Sequence, residues 1–208
     1  MASVIIHLAI AKKVNEKIKV ENQKDYYLGA IAPDISKQIG ESREESHFLI
    51  NTKKEIPNIE LFKKRYPTFM YNSFDLGYFI HLYTDKYWKK DFLPTIKKDN
   101  FIKLINGSFI KSTEEEINEM IYSDYTNLNI KVIEEFDLDL SLFYEDFIIP
   151  KTNIKEVPIN KLDILINKMG LLIENSKSEK TYTLDIKEIK QFIENVANKI
   201  IKDLEIYY

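Results

Sequence analysis

The chain has 208 residues, of which 44% are hydrophobic and 30% are charged, a balance that predicts a folded globular protein and excludes a disordered or low-complexity one. It has no cysteine, which excludes disulfide scaffolds, cysteine nucleophiles and cysteine-based zinc fingers, and which suits a reducing compartment. The formal net charge of -3 provides no overall basic field, so we expect no binding to duplex nucleic acid.

The N-terminal segment 1–11 is apolar but short. It contains Ser3 and His7, has no basic residue ahead of it and shows no cleavage signal, so it does not predict a signal peptide. No apolar run is long enough for a transmembrane helix. We therefore expect a cytoplasmic protein.

Helical periodicity dominates the first half of the chain. Apolar residues predict helices at about 3–18, 24–31 and 59–66, and a long helix at about 69–92 that ends at Pro94. The polar stretch 36–46 is interpreted as a loop.

The second half is also predicted to be helical. Ser112 or Thr113, each followed three residues later by a glutamate, resembles a capping box that opens a helix. Further helices are expected after Pro158 and after Asp185, whereas residues 137–155 are ambiguous and could hold short extended segments.

These patterns predict an all-α protein of about seven helices. We expect a single domain over residues 1–208, in which residues 1–95 form the metal-binding part discussed next and residues 96–208 complete the helical fold.

Polar side chains occupy faces that should be buried. His81 and Asp85 lie one turn apart on the apolar face of the long helix, and His7 lies on the inward stripe of the first helix. Asp34 follows an apolar helix, and His47 begins the short apolar segment His47-Phe48-Leu49-Ile50. Burying a polar group without a partner costs roughly 2–7 kcal/mol, so each of these five groups needs compensation.

Each histidine alone could be a hydrogen-bonded core residue, and His81 with Asp85 could be a simple ion pair along one helix. Those interpretations must explain five residues separately, whereas one metal centre explains them together. Imidazole and carboxylate suit Zn, Fe or Mn, and a divalent ion offsets the burial of carboxylates. The sequence therefore predicts a single metal centre, for Zn, Fe or Mn, bound by His7, Asp34, His47, His81 and Asp85.

The order of these residues resembles that of the zinc-dependent phospholipase C family, whose fold is shared with fungal single-strand nucleases. The resemblance covers about residues 1–95, and its most specific elements are Gly-x-x-x-Pro-Asp and His-xxx-Asp. The matching segments are His7-Leu8-Ala9-Ile10-Ala11, Leu28-Gly29-Ala30-Ile31-Ala32-Pro33-Asp34, Ser46-His47-Phe48 and Leu76-Gly77-Tyr78-Phe79-Ile80-His81-Leu82-Tyr83-Thr84-Asp85.

The resemblance implies a helical fold around a metal cluster of the phospholipase C/nuclease type. It implies hydrolysis of a phosphodiester in a phospholipid, a nucleotide or a similar small-molecule or lipid phosphoester, by metal-bound hydroxide. It also implies that Asp34, His47, His81 and Asp85 hold one metal, and that His7 holds a second with Asp85 bridging. Asp34 would be the catalytic carboxylate that orients or deprotonates the water.

The chain departs from that family in two respects. No histidine follows His81, so the third metal site of well-studied members cannot form in the same way. Secreted members use the amino group of an N-terminal tryptophan as a ligand, whereas this chain starts at Met1, six residues before His7. We therefore expect a reduced centre of one or two metals.

Two functions stay open from the sequence: a metal-dependent phosphoric-ester hydrolase, and a non-catalytic helical module that keeps a structural metal. A third class, helical phosphohydrolases with adjacent His and Asp, is disfavoured because the chain has no His-Asp dipeptide.

Several further residues are candidates for supporting roles. Arg43 could bind a phosphate. Glu44, Glu45 and Asp75 could support the ligands, although solvated charges are the more common interpretation. A phosphate could also contact Lys86, Lys89 and Lys90, although a run of lysines at a helix end is more commonly a solvated face. A pocket could be lined by Tyr83, Tyr87 and Trp88, although such aromatic residues more commonly pack in the core.

Overall fold

A computed structural model describes residues 1–49, 56–177 and 179–207, except for the side chain of Leu172. Helices dominate these residues, which confirms the prediction of an all-α protein. Seven helices in the described part of the chain have seven or more residues, and they are α1 (Val4–Ile18), α2 (Gln23–Ile31), α3 (Ile59–Arg65), α4 (Ser73–Tyr87), α5 (Glu114–Glu135), α6 (Leu162–Glu174) and α7 (Ile186–Leu204).

Side-chain caps fix where most of these helices begin. Oxygens of Ser3, Asn22 and Asn58 accept hydrogen bonds from backbone N–H groups in the first turns of α1, α2 and α3. The predicted capping box at α5 is confirmed for Thr113 with Glu116, since each side chain accepts a hydrogen bond from the other residue's backbone. The helix predicted after Asp185 is likewise confirmed.

The long helix predicted at 69–92 is wrong in its bounds. A 3-10 turn at Phe69–Tyr71 comes first, and α4 starts only after Asn72, whose side chain caps it. A π-helical turn, Trp88–Phe92, follows α4, and a short helix, Leu93–Ile96, follows that turn. Pro94 does not end the helical run, because it lies in the first turn of the short helix, where its missing N–H has no partner to lose.

The segment after α2 is also more helical than predicted. A 3-10 turn, Ala32–Asp34, continues α2 and passes directly into a helical turn, Ile35–Gln38. The loop expected at 36–46 therefore begins three residues later than its predicted start.

A small antiparallel sheet, which the periodicity did not predict, follows the helical run. Its strands are β1 (Lys97–Lys98), β2 (Phe101–Lys103) and β3 (Phe109–Lys111), in the order β1-β2-β3. The ambiguous stretch 137–155 contains no strand and includes a 3-10 turn, Ser141–Tyr144. Strands of two and three residues are too short to show a period of two.

The tightest packing in the fold joins α2 to α4. A Cβ atom on Gly29 would lie 2.0 Å from the carbonyl oxygen of Phe74, and one on Gly77 would lie 2.0 Å from the carbonyl oxygen of Tyr26. Both glycines are therefore needed for the two backbones to touch. This contact brings the end of α2 against the middle of α4, where the polar side chains lie.

The remaining helices close the core around α1 and α4. Trp88, Phe92 and Phe192 form an aromatic cluster that joins the end of α4 to α7. No helix in the described residues combines the length and the apolar character needed to cross a bilayer.

Candidate metal centre

The structure brings the five predicted ligand residues to one place in the core. Each histidine side chain has no exposed surface, and Asp34 and Asp85 are 5% and 2% exposed. His47 Nε2 lies 3.6 Å from Asp34 Oδ1 and 3.6 Å from Asp85 Oδ2. His81 Nε2 lies 3.9 Å from Asp34 Oδ1 and 4.0 Å from Asp85 Oδ2.

Four separate segments supply these groups. His81 and Asp85 lie one turn apart on α4, His7 lies in the second turn of α1, and Asp34 ends the 3-10 turn after α2. His47 comes from the turn before α3. The next residue, Phe48, is buried with φ of 51°, a left-handed backbone that is costly for a bulky residue. Packing of the Phe48 ring against Phe62 holds this turn in place.

The second nitrogen of two histidines is already committed. His81 Nδ1 lies 2.8 Å from the carbonyl oxygen of Ala30, which can only accept, so Nδ1 carries the proton. His47 Nδ1 lies 2.9 Å from Ser46 Oγ, and the Ser46 hydroxyl donates to the carbonyl oxygen of Arg43. A Ser46 hydroxyl that donates to this carbonyl oxygen accepts from His47 Nδ1, which is the tautomer in which His47 Nε2 carries the lone pair.

In that tautomer both Nε2 atoms present lone pairs, and these two atoms lie only 3.3 Å apart. Two acceptors at this distance in a buried site need a proton or a cation between them. Metal-binding histidines typically donate their other N–H to a carbonyl or a similar group, as His81 does here.

The separations also suit one ion. Ligand atoms about 2.0–2.1 Å from a tetrahedral zinc lie about 3.3–3.4 Å from one another. The separations from the Nε2 atoms of His47 and His81 to each other and to the two carboxylates run from 3.3 to 4.0 Å. His47, His81 and Asp85 could therefore become ligands of one ion by small inward movements.

His7 completes the cluster from the other side. Its ring stacks on that of His81, with centroids 3.8 Å apart and an interplanar angle of 6°, and His7 Nε2 lies 3.4 Å from Asp85 Oδ1. Within the described residues, neither His7 ring nitrogen makes a hydrogen bond, and neither does Asp34 Oδ1. Asp85 thus directs one oxygen to His7 and the other to His47, the arrangement of a carboxylate that could bridge two ions.

The local charges favour a cation. Burial acts to raise the pKa of Asp34 and of Asp85, but contacts with the surrounding histidines outweigh it and hold both pKa values below the ordinary value. Burial lowers the pKa of His47, and burial together with the nearby His7 lowers the pKa of His81 to about 3. At neutral pH the site therefore holds two carboxylates and the neutral imidazoles of His47 and His81, the protonation states that bind metals.

Two groups that are not predicted ligands also contact Asp85. The Arg43 guanidinium lies with Nη2 3.1 Å from Asp85 Oδ2, and the backbone N–H of Ala2 donates to Oδ1 at 3.1 Å. Arg43 Nε is buried without a hydrogen-bond partner among the described residues. Arg43 therefore supplies part of the positive charge that the carboxylates require.

The other candidate residues do not join the centre. Glu44 and Glu45 are exposed, and Asp75 accepts a hydrogen bond from Thr152 near the opposite end of α4. Lys86 lies over the rings of Tyr83 and Tyr87. Trp88 belongs to the aromatic core.

Sequence reasoning missed Ser46 and the Ala30 carbonyl, which orient the histidines. Ser46 directly precedes His47, and a hydroxyl can accept a hydrogen bond from the ring, so this signal was present in the chain. A backbone carbonyl has no sequence signal, because its position depends on how α2 packs on α4.

The five residues form two overlapping groups that could hold a metal ion, His7–Asp34–His81 and His47–His81–Asp85. Comparison with known proteins adds no family to this geometry: no family model, no curated protein and no solved structure matches the chain.

Proposed function

We propose that this protein is a metal-dependent hydrolase of phosphoric esters, similar to phospholipase C, with its centre at His7, Asp34, His47, His81 and Asp85. The observation that carries the proposal is the pair of buried Nε2 lone pairs 3.3 Å apart, flanked by two ionised carboxylates. This donor set suits zinc, and iron or manganese is also compatible with it. The lack of cysteine supports a cytoplasmic location.

A divalent ion in this site would supply two things: it lowers the pKa of water, and it offsets negative charge on phosphoryl oxygens. Hydrolysis joins the oxygen of water to phosphorus and breaks one ester P–O bond, and the leaving alkoxide takes up a proton.

Asp34 is the catalytic carboxylate of this proposal. It is the more exposed of the two aspartates, and its Oδ1 has no hydrogen-bond partner in the described structure. Its lowered pKa keeps it ionised, so its role is to accept a hydrogen bond from the attacking water and to orient that water toward phosphorus.

Arg43 is the group that would bind the phosphate. Its guanidinium is held by Asp85 at one end, while about a fifth of its side chain is exposed. A planar guanidinium donates two parallel hydrogen bonds to phosphoryl oxygens, so it can hold the ester while the charge on those oxygens grows.

The alternative function is a helical module that keeps a structural metal. The near-complete burial of all five ligand residues favours it, because structural sites are closed by protein ligands whereas catalytic sites keep a position open. Turnover distinguishes the two functions, since both require the ion.

Metal analysis tests the feature that both functions share. Purified protein loaded with zinc should hold about one to two equivalents of metal. The His81→Ala/Asp85→Ala variant should hold none, whereas the Glu44→Ala/Glu45→Ala variant, with two exposed acids near His47 replaced, should match the original chain. Equal metal content in both variants would refute the centre. If the first variant does not fold, zinc should still raise the melting temperature of the unaltered protein, and no rise would count equally against the proposal.

Hydrolysis of bis-p-nitrophenyl phosphate tests catalysis. We expect slow turnover with zinc, iron or manganese that a chelator abolishes. Asp34→Asn should lower kcat by about 100-fold or more, on the scale of losing one group that acts on the reacting atoms. Metal binding without turnover for any of the three ions would favour the structural module.

A further inference from the structure

The small sheet at residues 97–111 presents a face that neither the core nor the metal centre uses. Residues that lie opposite each other in a sheet share a face. The pairing of Phe101 with Lys111 and of Lys103 with Phe109 therefore places two aromatic rings and two lysines on one face. Lys98, opposite Phe101, joins them.

This face points to solvent. Phe101 is 44% exposed and Phe109 is 53% exposed, whereas Ile102, on the other face, is fully buried. Ile105 in the connecting turn is also exposed. We call this surface the hairpin face and define it by Lys98, Phe101, Ile105, Phe109 and Lys111.

The turn that carries Ile105 is held by its own hydrogen bonds. The N–H of Gly107 donates to the carbonyl oxygen of Leu104, and the N–H of Leu104 donates to that of Ser108, both at 2.8 Å. Asn106 Oδ1 accepts from the N–H of Ser108 at 3.0 Å. Gly107 has φ of 84°, a left-handed conformation that glycine adopts without strain. The hairpin face is therefore preorganised.

The hairpin face is basic in an acidic protein. Residues 97–111 contain four lysines and one aspartate, although the whole chain has a net charge of -3. Lys97 and Lys103 pair with Glu114 and Glu188. Lys98 and Lys111 are exposed, and no acidic side chain in the described residues pairs with either.

We propose that the hairpin face docks on the surface of a bilayer that contains anionic phospholipid. Exposed apolar side chains next to unpaired lysines match the two layers of such a surface, because the apolar groups enter the interface and the lysines remain at the headgroups. The inference does not depend on the metal centre. If the proposed hydrolase activity holds, docking would bring the enzyme to phospholipid substrates.

A single strand of nucleic acid is the main competing occupant, since it also combines negative charge with groups that stack on aromatic rings. Ile105 argues against it. An aliphatic side chain offers no stacking surface to a base, whereas it gains by leaving water for a lipid interface.

Flotation with vesicles tests the proposal on the full-length chain. At low salt the protein should bind vesicles of phosphatidylcholine with phosphatidylglycerol, and should bind vesicles of phosphatidylcholine alone at least tenfold more weakly. Phe101→Ser/Phe109→Ser and Lys98→Gln/Lys111→Gln should each lower the partition coefficient about tenfold or more, because each lysine at an anionic surface contributes roughly fivefold.

Matched controls replace similar residues elsewhere on the surface. Tyr71→Ser, at an aromatic residue that is 87% exposed, and Lys64→Gln/Lys161→Gln should bind as the unaltered chain does. Vesicle binding should also be the same with and without a chelator, which separates docking from the metal centre. Equal losses in the controls, or no binding to anionic vesicles, would overturn the proposal. Binding of single-stranded oligouridine without vesicle binding, or self-association that the phenylalanine substitutions abolish, would also overturn it and would name the true partner.

Spectroscopy can locate the contact, since the chain has no cysteine and one can be introduced alone. A polarity-sensitive dye on Ser108→Cys, in the hairpin turn, should shift to the blue when anionic vesicles are added. The same dye on Tyr71→Cys should not shift. The reverse pattern would place the membrane contact elsewhere and refute the assignment to the hairpin face.

Discussion

Two buried carboxylates, one in each half of the molecule, show how differently a protein can compensate the same group. Asp124 on α5 is fully buried and accepts four hydrogen bonds of 2.6 to 2.8 Å from the segment before α7. Three come from the backbone N–H groups of Tyr182, Thr183 and Leu184, and one from the Thr183 hydroxyl. Asp85 on α4 is 2% exposed and faces the Nε2 atoms of His7 and His47.

The difference separates a structural carboxylate from one suited to a ligand. The four donors around Asp124 satisfy the hydrogen-bonding capacity of its carboxylate within the fold. Asp124 therefore joins α5 to the segment before α7 and does not need an ion. Asp85 receives single hydrogen bonds from Ala2 and Arg43 and otherwise faces imidazole nitrogens, which are themselves metal ligands, so a cation would improve its surroundings. Burial alone therefore does not identify a metal ligand; the direction of the neighbouring donors does.

The largest predicted effect concerns the structural carboxylate. Asp124→Ala should lower the free energy of unfolding by roughly 3 kcal/mol or more, because three backbone N–H groups lose their acceptor. Urea denaturation in the presence and absence of zinc would measure this loss, which we expect to be the same in both conditions. Glu119→Ala, at an exposed position on the same helix, should change stability by less than about 0.5 kcal/mol. A loss of zinc binding in Asp124→Ala at a temperature where the variant is folded would contradict this division of roles.

A smaller effect is expected at the α2–α4 contact. Gly77→Ala should cost about 1–3 kcal/mol, because the new Cβ atom would press on the backbone of Tyr26. Separating α2 from α4 should also weaken zinc binding, since the carbonyl of Ala30 would no longer hold His81 at 2.8 Å. Calorimetric titration with zinc would test this.

Gly170→Ala serves as the control, because the nearest atom to its Cβ would be the Tyr144 hydroxyl at 4.0 Å. This change should stabilise α6 by about 0.5–1 kcal/mol and leave zinc affinity unchanged. Full zinc affinity in Gly77→Ala would show that the helix contact does not position the ligands.

The smallest predicted effect is the change in the free energy of unfolding of the metal-free protein for each pH unit. Burial lowers the pKa of His81 from its ordinary 6.5 to about 3, so between these values the unfolded chain takes up a proton that the folded protein does not. Stability should therefore fall as the pH falls from about 6.5 toward 3, by up to about 1.4 kcal/mol per pH unit for each such histidine. His47, whose pKa is also lowered, adds to the slope.

Urea midpoints at pH 7.5 and pH 5 in the presence of chelator would measure this dependence. His81→Ala should flatten it, whereas Asp124→Ala should lower stability without changing the slope near neutral pH. A midpoint that rises on acidification would contradict the neutral, buried imidazoles on which the metal centre depends.

Local sequence patterns predicted much of the fold. Caps and apolar stripes are local features, and they located α1, α2, α3, α5 and α7 to within a few residues. The break at Asn72 and the sheet at 97–111 escaped prediction, because a single capping side chain and strands of two or three residues leave little periodic signal.

The residue types at the centre were recognisable in the chain itself, because imidazole and carboxylate on apolar faces conflict with the cost of burying them unpaired. The place where these side chains meet was not recognisable in the sequence. It depends on how close α2 lies to α4 and on the left-handed backbone of Phe48, the residue after His47. The same holds for the lone pair of His81: the chain contains the imidazole, but the distant carbonyl of Ala30, which accepts from Nδ1, decides which nitrogen of the ring faces the centre. The contrast between Asp85 and Asp124 likewise exists only in three dimensions, because both are aspartates on helices and only their neighbours after folding differ.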